Sequence, residues 1–438
     1  MEQMSEADYR RMGIEADAVV RLGMLLMGAG TSGYRVMRAM KRAARALGFD
    51  KLDLVVGIVK ITSTFHRGNT FRTVISRQHN PAVDASRIEA LEDLAHNRLY
   101  PGITAEELEA MLDDVEYRVR ARWNRWYLAL AAAVACAAFA VLNFFPPTAV
   151  AVVAVAAAAG QLTRGELHRR HVHQTGCVIA AAAVASLTFL GIATLLNWAG
   201  WADPHDFTFG YVAAVLFLVP GFPLFSSLID LARFDFEAGL PRLAYAFTVI
   251  STATFTVAMI SWATELNPIP GTTRVTAAWS VAAAIASFLG VAGFAFIFNS
   301  SRRMVLVAAT VGMVANCLRL VVLHAGATEY FAALVGGFVV GLLGAAAAKW
   351  ALLPRITTTV PAAVIMVPGA TMYRAVYDLN AGAMDQALAN TATGMLIVLS
   401  IGAGLIFARL LTDPNWTFGH LIDFSPEAED WQAQRGYD

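Results

Sequence analysis

The chain has 438 residues, of which 57% are hydrophobic and only 15% charged, and its formal net charge is zero. A soluble domain is about a quarter charged, so this balance predicts a membrane protein, as does the mean hydropathy of +0.54. The basic residues are spread over loops rather than gathered into an aromatic-rich patch, which argues against a nucleic-acid partner. The three cysteines have no CxxC spacing, so we expect neither redox chemistry nor a cofactor.

The first part of the chain, residues 1–125, has the mixed composition of a soluble domain, and its patterns predict a small α/β fold. GYRVMRAMKRAARALG (33–48) places apolar residues at near-helical spacing and predicts a helix. LDLVVGIVKITSTF (52–65) is rich in β-branched residues and predicts a strand, with FRTVISR (71–77) as its partner. Thr104, three residues before a glutamate, has capping-box spacing and predicts a helix that runs on into the first membrane span.

The glycine-rich stretch GAGTSG (28–33) has some features of a phosphate-binding loop. It lacks a GK[ST] ending, however, and lies between two helical patterns instead of after a strand. These features favour a turn between two helices. The alternative is a small anion site lined by Ser32, Tyr34 and Arg35.

The histidine-rich sequence LHRRHVH has one feature of a metal site, because His168 and His171 are spaced i, i+3. Arginines surround these histidines, and Glu166 is the one acidic residue close by in the sequence. The pattern therefore favours a positively charged loop over a metal site.

Ten apolar runs follow Arg125, and each is a candidate membrane span because a bilayer core needs about 20 apolar residues per helix. Three of the runs, the second, fourth and ninth, are short. The approximate bounds are 126–145, 147–161, 175–198, 207–220, 241–264, 275–298, 303–323, 330–348, 356–368 and 391–411.

Two of the short runs end at Val-Pro-Gly sequences that are related to each other. VPGFPLFSSLIDL (219–231) and VPGATMYRAVYDL (367–379) share five residues at a constant offset of 148. Proline removes a backbone donor and glycine tolerates a turn, so both runs are predicted to be interrupted helices. Five spans separate the two sequences, and an odd number reverses direction. We therefore expect two inverted five-helix repeats, over 126–264 and 275–411.

The distribution of Lys and Arg predicts the orientation in the membrane. Fourteen of these residues lie in segments on the side of the N-terminus, whereas the opposite loops carry Arg274 and Arg374. The start, MEQMSEADYR, is mixed and acidic and is unlike a secretory signal. We therefore expect ten spans, with the N-terminal domain and a C-terminal tail (412–438) in the cytoplasm.

These features together resemble a known family. GAGTSGYRVMRAMKRAARALGFD in a cytoplasmic domain, followed by ten spans with LVPGFPLFSSLIDL in the first half, is similar to the threonine/serine exporter family of bacteria. The resemblance implies proton-driven efflux of L-threonine and L-serine across the inner membrane. A two-protein branch of the superfamily is associated with succinate export, which leaves dicarboxylates open as substrates, and a homo-oligomer is also open.

The two breaks are the candidate substrate site. A helix that restarts after each Val-Pro-Gly presents free N–H groups and its positive dipole end, which suit a substrate carboxylate. Nearby hydroxyl groups can recognise a polar side chain, and Arg319 can pair with a carboxylate, although its side chain can instead extend to the outer surface. The alternative for the breaks is a pair of proline hinges without a ligand. The candidate residues are Pro220, Gly221, Ser226, Ser227, Pro368, Gly369, Thr371 and Arg319.

Asp230 and Asp378 lie at equivalent places in the two halves, each nine residues beyond its glycine. An acid inside a membrane is costly and is by default a candidate proton carrier. In a loop, either acid would be a solvated charge or a helix cap. A channel would show rings of carbonyls or charges, and an enzyme would show a nucleophile–base cluster. The chain has neither pattern, so a transporter is favoured.

Overall fold

The computed structural model describes residues 5–78, 82–119, 122–201, 207, 210–264, 276–418 and 424. Arg274 and most of the predicted tail lie outside the described residues. The described chain is mainly helical, with one small sheet near the N-terminus.

The N-terminal region is the predicted small α/β fold. Its sheet has three antiparallel strands in chain order; helices pack against one face, whereas Phe71 and Ile75 on the other face are exposed. Its elements are α1 (Glu6–Gly28), α2 (Gly33–Ala46), β1 (Lys51–Val56), β2 (Lys60–Arg67), β3 (Thr70–Arg77), α3 (Ala85–Asp93), a π-helical turn (Leu94–Arg98) and α4 (Ala105–Arg118).

Local signals in this region were mostly accurate. GAGTSG is a turn between α1 and α2, with Gly30 at a φ of +90° that favours glycine. Thr104 forms a complete capping box at the start of α4. Two expectations were wrong: the run 52–65 is two strands, because Gly57 N–H bonds to the Lys60 carbonyl in a tight connection, and α4 ends before the first membrane helix begins.

The rest of the described chain consists of helices, and each predicted run corresponds to one or two of them. The helices are α5 (Arg125–Leu142), α6 (Pro147–Arg169), α7 (Gln174–Trp198), α8 (Gly210–Ala213) with a 3₁₀ turn (Leu216–Leu218), α9 (Gly221–Leu231), α10 (Phe236–Ala263), α11 (Ala277–Ile297), α12 (Arg302–His324), α13 (Glu329–Ala351), α14 (Arg355–Val364), α15 (Gly369–Asn380), α16 (Met384–Thr412) and α17 (Pro414–Thr417).

Eight described helices are long and apolar enough to cross a membrane. The segments 210–218 and 221–231 meet at a bend of 61° and would together make a ninth span. The ninth predicted run falls on α14, which has only 10 residues. Ten spans therefore require α14 and α15 to act together as a second broken span, which stays a prediction.

The two membrane halves repeat the same order of elements: three long helices, two short ones at a break, and a fourth long helix. The chain also turns in the left-handed conformation at corresponding helix ends. These paired positions are Phe144 and Asn299, His171 and Gly326, Gly200 and Leu352, and Phe234 and Gly382.

Small residues bring the membrane helices close together. α5 packs along α11 and α13 along α16, and Phe139 meets Phe294 across the two halves with ring centroids 5.8 Å apart. A β-carbon on Gly293 would lie 2.6 Å from the Ala131 carbonyl oxygen, so glycine is required at that crossing. The main core therefore lies between the two halves, around the breaks.

Candidate substrate site at the two helix breaks

Each break is an inverse γ-turn centred on its proline. Pro220 has φ −82° and ψ 63°, and Pro368 has φ −81° and ψ 60°. Gly221 N–H donates to the Val219 carbonyl and Gly369 N–H to the Val367 carbonyl, both at 2.9 Å. The ring of proline fixes φ close to the value that this turn needs, so the same three residues produce the same geometry twice. The predicted interruptions are therefore present, and α9 and α15 restart directly at the glycines.

The two breaks pack against each other reciprocally. A β-carbon on Gly221 would overlap the side chain of Val364, and a β-carbon on Gly369 would overlap Leu216. Val364 lies three residues before the second Val-Pro-Gly, and Leu216 lies three residues before the first. The side chain three residues before each break therefore packs against the glycine of the other break.

The broken helices run in opposite directions where they meet. The start of α9, at Gly221, lies against the end of α14, at Val364. Near the other end of α9, Ile229 lines a cavity together with Arg355, the first residue of α14. α9 and α14 are therefore antiparallel.

A cavity of about 40 Å³ lies beside the crossing of the breaks. Its walls are mostly apolar and include Val219 and Gly369, with Thr254 and Tyr373 as polar members. Because one water occupies about 10–15 Å³ on this measure, the cavity holds at most a few waters. An amino acid can therefore enter only if the surrounding helices separate.

Three hydroxyl groups meet at the same place. The hydroxyl oxygen of Tyr211 lies 2.6 Å from that of Tyr373 and 3.0 Å from that of Ser261. These residues come from α8, α15 and α10, and all three are buried. These three residues were not predicted from the sequence, since no spacing along the chain connects three single hydroxyl residues on separate helices. Tyr373 was recognisable only as a residue four positions after Gly369.

The serines predicted to bind substrate are occupied within their own helix. Ser226 Oγ donates to the Pro223 carbonyl at 3.2 Å, and Ser227 Oγ donates to the Leu224 carbonyl at 2.7 Å. Both side chains are fully buried, whereas Thr371 is half-buried. Each serine must change rotamer before it can donate to a substrate.

The two repeated acids lie in the last turns of α9 and α15, so neither is a loop charge. Asp230 is buried and accepts a hydrogen bond from Arg242 at 2.5 Å. Asp378 is half-buried and accepts one from the Asn390 amide at 2.6 Å. Each partner lies twelve residues after its acid, in the long helix that follows. The two halves therefore share a geometry but differ in charge.

Asp230 also joins the membrane part of the chain to the N-terminal region. Its carboxylate accepts a long hydrogen bond, 3.4 Å, from the N–H of Gly33 at the start of α2. In the same area, the guanidinium of Arg233 stacks on Tyr34, 3.8 Å from the ring centroid. The GAGTSG turn thus lies against the end of α9.

Arg319 belongs to a polar chain between α11 and α12. Its Nε donates to Asn316 Oδ1, and Asn316 Nδ2 donates to Ser287 Oγ, both at 2.8 Å. Arg319 also lies against Gly336, beside Met366, which precedes the second break. Among the described residues, none of the ion pairs involves Arg319. Pairing with a substrate carboxylate stays a prediction.

Within the described part of the chain, no group of three or more His, Cys, Asp or Glu side chains can hold a metal ion. Cys136, Cys177 and Cys317 are free thiols. The geometry thus contains a broken-helix crossing with hydroxyls and acids around it.

A family model described as "Putative threonine/serine exporter" matches residues 17–264. The chain belongs to the threonine/serine exporter family. A second model, described as "Threonine/Serine exporter, ThrE", matches residues 283–411, so each break lies within one of the two matches. The resemblance inferred from the sequence is confirmed, and this exporter is a multi-pass membrane transporter rather than an enzyme.

Two relatives resemble this exporter over slightly more than half of its length. The "Probable succinate transporter subunit YjjP" of Escherichia coli (strain K12) is 25% identical over 249 residues, which are 56% of this chain and 93% of the relative. The protein of the same name from Klebsiella aerogenes is 26% identical over 258 residues, 57% of this chain and 95% of the relative. No solved structure matches the chain.

Proposed function

We propose that this exporter moves L-threonine and L-serine out of the cell across the bacterial inner membrane, through a path at the two crossed breaks. The observation that carries the proposal is the reciprocal packing of Gly221 on Val364 and of Gly369 on Leu216. A broken helix persists in a membrane only where protein buries it or where it lines a wet cavity. A pair of such breaks at the interface of two repeats is a recurrent plan of secondary transporters.

The proposed arrangement is a pair of inverted five-helix repeats with both termini in the cytoplasm. The matching order of elements and the antiparallel run of α9 and α14 support it. Basic residues expected to face the cytoplasm contact the N-terminal region: Arg122 Nε donates to Ser86 Oγ at 2.7 Å, and Arg233 stacks on Tyr34. This is the side on which a positive-inside bias places the N-terminal domain.

In the proposed binding mode, the substrate carboxylate lies at the first turns of α9 and α15, and its side-chain hydroxyl meets the tyrosines. The first N–H groups of a helix have no partner within it. α9 contains Pro223 in its first turn, which removes one donor, so α15 offers the more complete set. Tyr373 and Thr371 lie in the same first turns of α15 and are the proposed hydroxyl contacts.

Asp230 and Asp378 are the proposed proton-coupling residues, and their partners suggest different roles. Arg242 supplies a full positive charge to Asp230, so losing that carboxylate's charge leaves a buried guanidinium uncompensated. Asn390 supplies a hydrogen bond without a net charge, so Asp378 can gain and lose a proton without stranding a cation. Asp378 is therefore the better candidate for the proton carrier, and Asp230 for a residue that holds one conformation.

A dicarboxylate such as succinate is the second candidate substrate. The name of the relatives supports it, as does Arg319, a cation near the second break that can bind a second carboxylate. A hydroxy amino acid needs one carboxylate site and one hydroxyl site, whereas succinate needs two carboxylate sites. Arg319→Gln should therefore weaken succinate transport much more than threonine transport if both are carried.

The deciding experiment is transport by the purified full chain in proteoliposomes. Counterflow of labelled threonine, serine and succinate should be measured with and without a pH gradient, beside empty vesicles. We expect saturable exchange of threonine and serine and accumulation that depends on the gradient. Exchange of none of the three would overturn the proposed substrates, and exchange of succinate alone would establish the second candidate.

A further inference from the structure

A second cavity lies between the N-terminal region and the membrane helices, and arginines dominate its walls. It measures about 20 Å³ and is lined by residues from five helices. Three of its lining residues are arginines, each at most 9% exposed: Arg35 of α2, Arg355 of α14 and Arg409 of α16. The other lining residues are Ile229, Gly341, Ile356, Thr359 and Leu405.

The carboxylates in the described structure balance two of these three charges. Arg35 forms an ion pair with Glu92, and Arg409 Nε lies 3.0 Å from Asp413 Oδ2. Arg355 instead donates from Nη2 to the Gly341 carbonyl at 3.0 Å, and among the described residues no carboxylate forms an ion pair with it. A guanidinium does not lose its proton in proteins. One buried positive charge is therefore left over at this cavity.

The neighbouring titratable groups leave that excess in place. Burial opposes the charge of Asp413, but Arg409 and the Trp416 N–H outweigh burial and lower the pKa of Asp413. Asp413 is therefore ionised, and its negative charge is the one that balances Arg409. His96 lies on the π-helical turn, close to Glu92. Its pKa is well below the ordinary value, mainly because the ring is buried and also because Arg42 lies close. His96 is therefore neutral at pH 7. Asp230 lies nearby but is paired with Arg242.

The backbone adds to the positive potential. α14 begins at Arg355, and its N-cap residue is Pro354, which has no side-chain acceptor to cover the first N–H groups. The positive end of α14, a helix of 10 residues, thus lies at the same cavity as the guanidinium groups. A buried charge without a counter-charge is strongly unfavourable, which makes an anion the natural occupant.

We propose that this cavity binds one small monovalent anion, either a halide or a single carboxylate group, held by Arg355 with Arg35 and Arg409. A volume of about 20 Å³ has room for roughly one water-sized group, which excludes bulky anions. Arg35 comes from the N-terminal region, whereas Arg355 and Arg409 come from the membrane region. The anion therefore fastens the N-terminal region to the membrane helices. The inference does not depend on which substrate is exported.

The test measures the melting of the full chain in detergent at constant ionic strength. Isethionate, an anion too bulky for the cavity, is replaced stepwise by chloride or by formate. We expect chloride and formate to raise the melting temperature saturably by about 3 °C, because a ligand that binds only the folded state stabilises it by mass action. Stabilisation by chloride identifies a halide site, and stabilisation by formate alone identifies a carboxylate site. Equal melting in isethionate and in every test anion would overturn the proposal.

Variants locate the effect. Arg355→Gln removes the unbalanced charge and should weaken the apparent affinity for the anion at least about tenfold, since a charge-assisted hydrogen bond is lost. Arg302→Gln, at an exposed arginine, is the matched control and should retain the full response. Thr359→Leu fills the cavity without changing its charge, and it should abolish the response even if Arg355→Gln does not fold. An unchanged response in Thr359→Leu would place the anion elsewhere and contradict the assignment.

Discussion

Arg242 donates a hydrogen bond to Asp230 over 2.5 Å inside the protein, and the equivalent position in the second half is Asn390. A buried carboxylate that loses its cation is left uncompensated, whereas one that loses an amide loses a single hydrogen bond. We therefore expect Arg242→Ala to cost about 3–5 kcal/mol of stability. Asn390→Ala should cost about 1 kcal/mol.

Thermal melting of the purified variants measures this difference, with Arg302→Ala at an exposed site as the control. Asn390→Arg introduces into the second half the positive charge that Arg242 supplies in the first. Its melting temperature should stay close to that of the parent chain, because the new arginine can pair with Asp378. Equal losses in Arg242→Ala and Asn390→Ala would show that the two acids have equivalent surroundings.

The glycines of the breaks should tolerate no side chain unless the opposing residue becomes smaller. A methyl group on Gly221 overlaps Val364, so Gly221→Ala should cost about 1–3 kcal/mol and slow threonine exchange. Val364→Ala removes the atoms that clash, and the double variant should recover most of both losses. The pair Gly369→Ala and Leu216→Ala should behave in the same way.

Gly191→Ala is the matched control, because a β-carbon at this helical glycine meets nothing within 4 Å. It should leave exchange unchanged. Exchange rates and melting temperatures of the single and double variants form the cycle that tests the contact. If Gly221→Ala exchanges threonine at the normal rate, the breaks are simple hinges that do not need their close approach.

The inverted arrangement predicts that the C-terminal ends of α9 and α15 face opposite sides of the membrane. Ser227 and Ala375, which flank the breaks, are both too buried to react with a labelling reagent, so exposed reporters are needed. Phe234→Cys and Ala381→Cys lie just beyond the two helices at exposed positions. In a background without Cys136, Cys177 and Cys317, an impermeant maleimide should label the first from inside and the second from outside.

The extent of labelling should be compared between intact cells and inverted vesicles, or between vesicles of known orientation. Arg118→Cys, at an exposed position, reports on the N-terminal domain. Its labelling should follow that of Phe234→Cys. Labelling of both loop cysteines from one side would contradict the inverted repeat, whatever the exporter carries.

Features with a local physical cause were predictable from the sequence. Apolar runs correspond to helices because the bilayer requires unbroken apolar length, and the breaks at Pro220 and Pro368 follow from a ring that fixes φ and removes a donor. The capping box at Thr104 is equally local. The run 52–65 was misinterpreted because its β-branched residues continue through Gly57, where the chain turns.

Features that depend on tertiary contacts were not predictable. Tyr211 and Tyr373 are 162 positions apart and gave no joint signal before the halves were packed. Arg355 and Arg409 are two of the fourteen basic residues that the sequence places on the side of the N-terminus, and such residues are expected in loops, yet both are buried at one cavity. Charge composition predicts which side of the membrane a residue faces, but only packing identifies its neighbours.

Proton coupling should depend more on Asp378 than on Asp230. An Asn substitution keeps the shape of the side chain but removes the charge change that links substrate movement to the gradient. Asp378→Asn leaves two neutral amides in contact, so the fold should be kept while accumulation driven by the pH gradient is lost. Exchange of threonine without a gradient should continue, and its dependence on pH should become flat.

Asp230→Asn requires a different control, since it strands Arg242 in a buried site. The double variant Asp230→Asn with Arg242→Gln removes both charges and should recover the stability that the single variant loses. If Asp230 only holds one conformation, this double variant should still accumulate threonine when a gradient is applied, whereas Asp378→Asn should not. Driven flux and exchange must be measured in the same vesicles, because a folding defect lowers both, whereas a loss of coupling lowers driven flux alone.

If Asp378→Asn and the double variant both accumulate threonine normally at every pH, the two acids are structural. The coupling group must then be sought among Arg319, Asp235 and Glu237, of which Asp235 caps α10 and lies beside Gly33 of the N-terminal region.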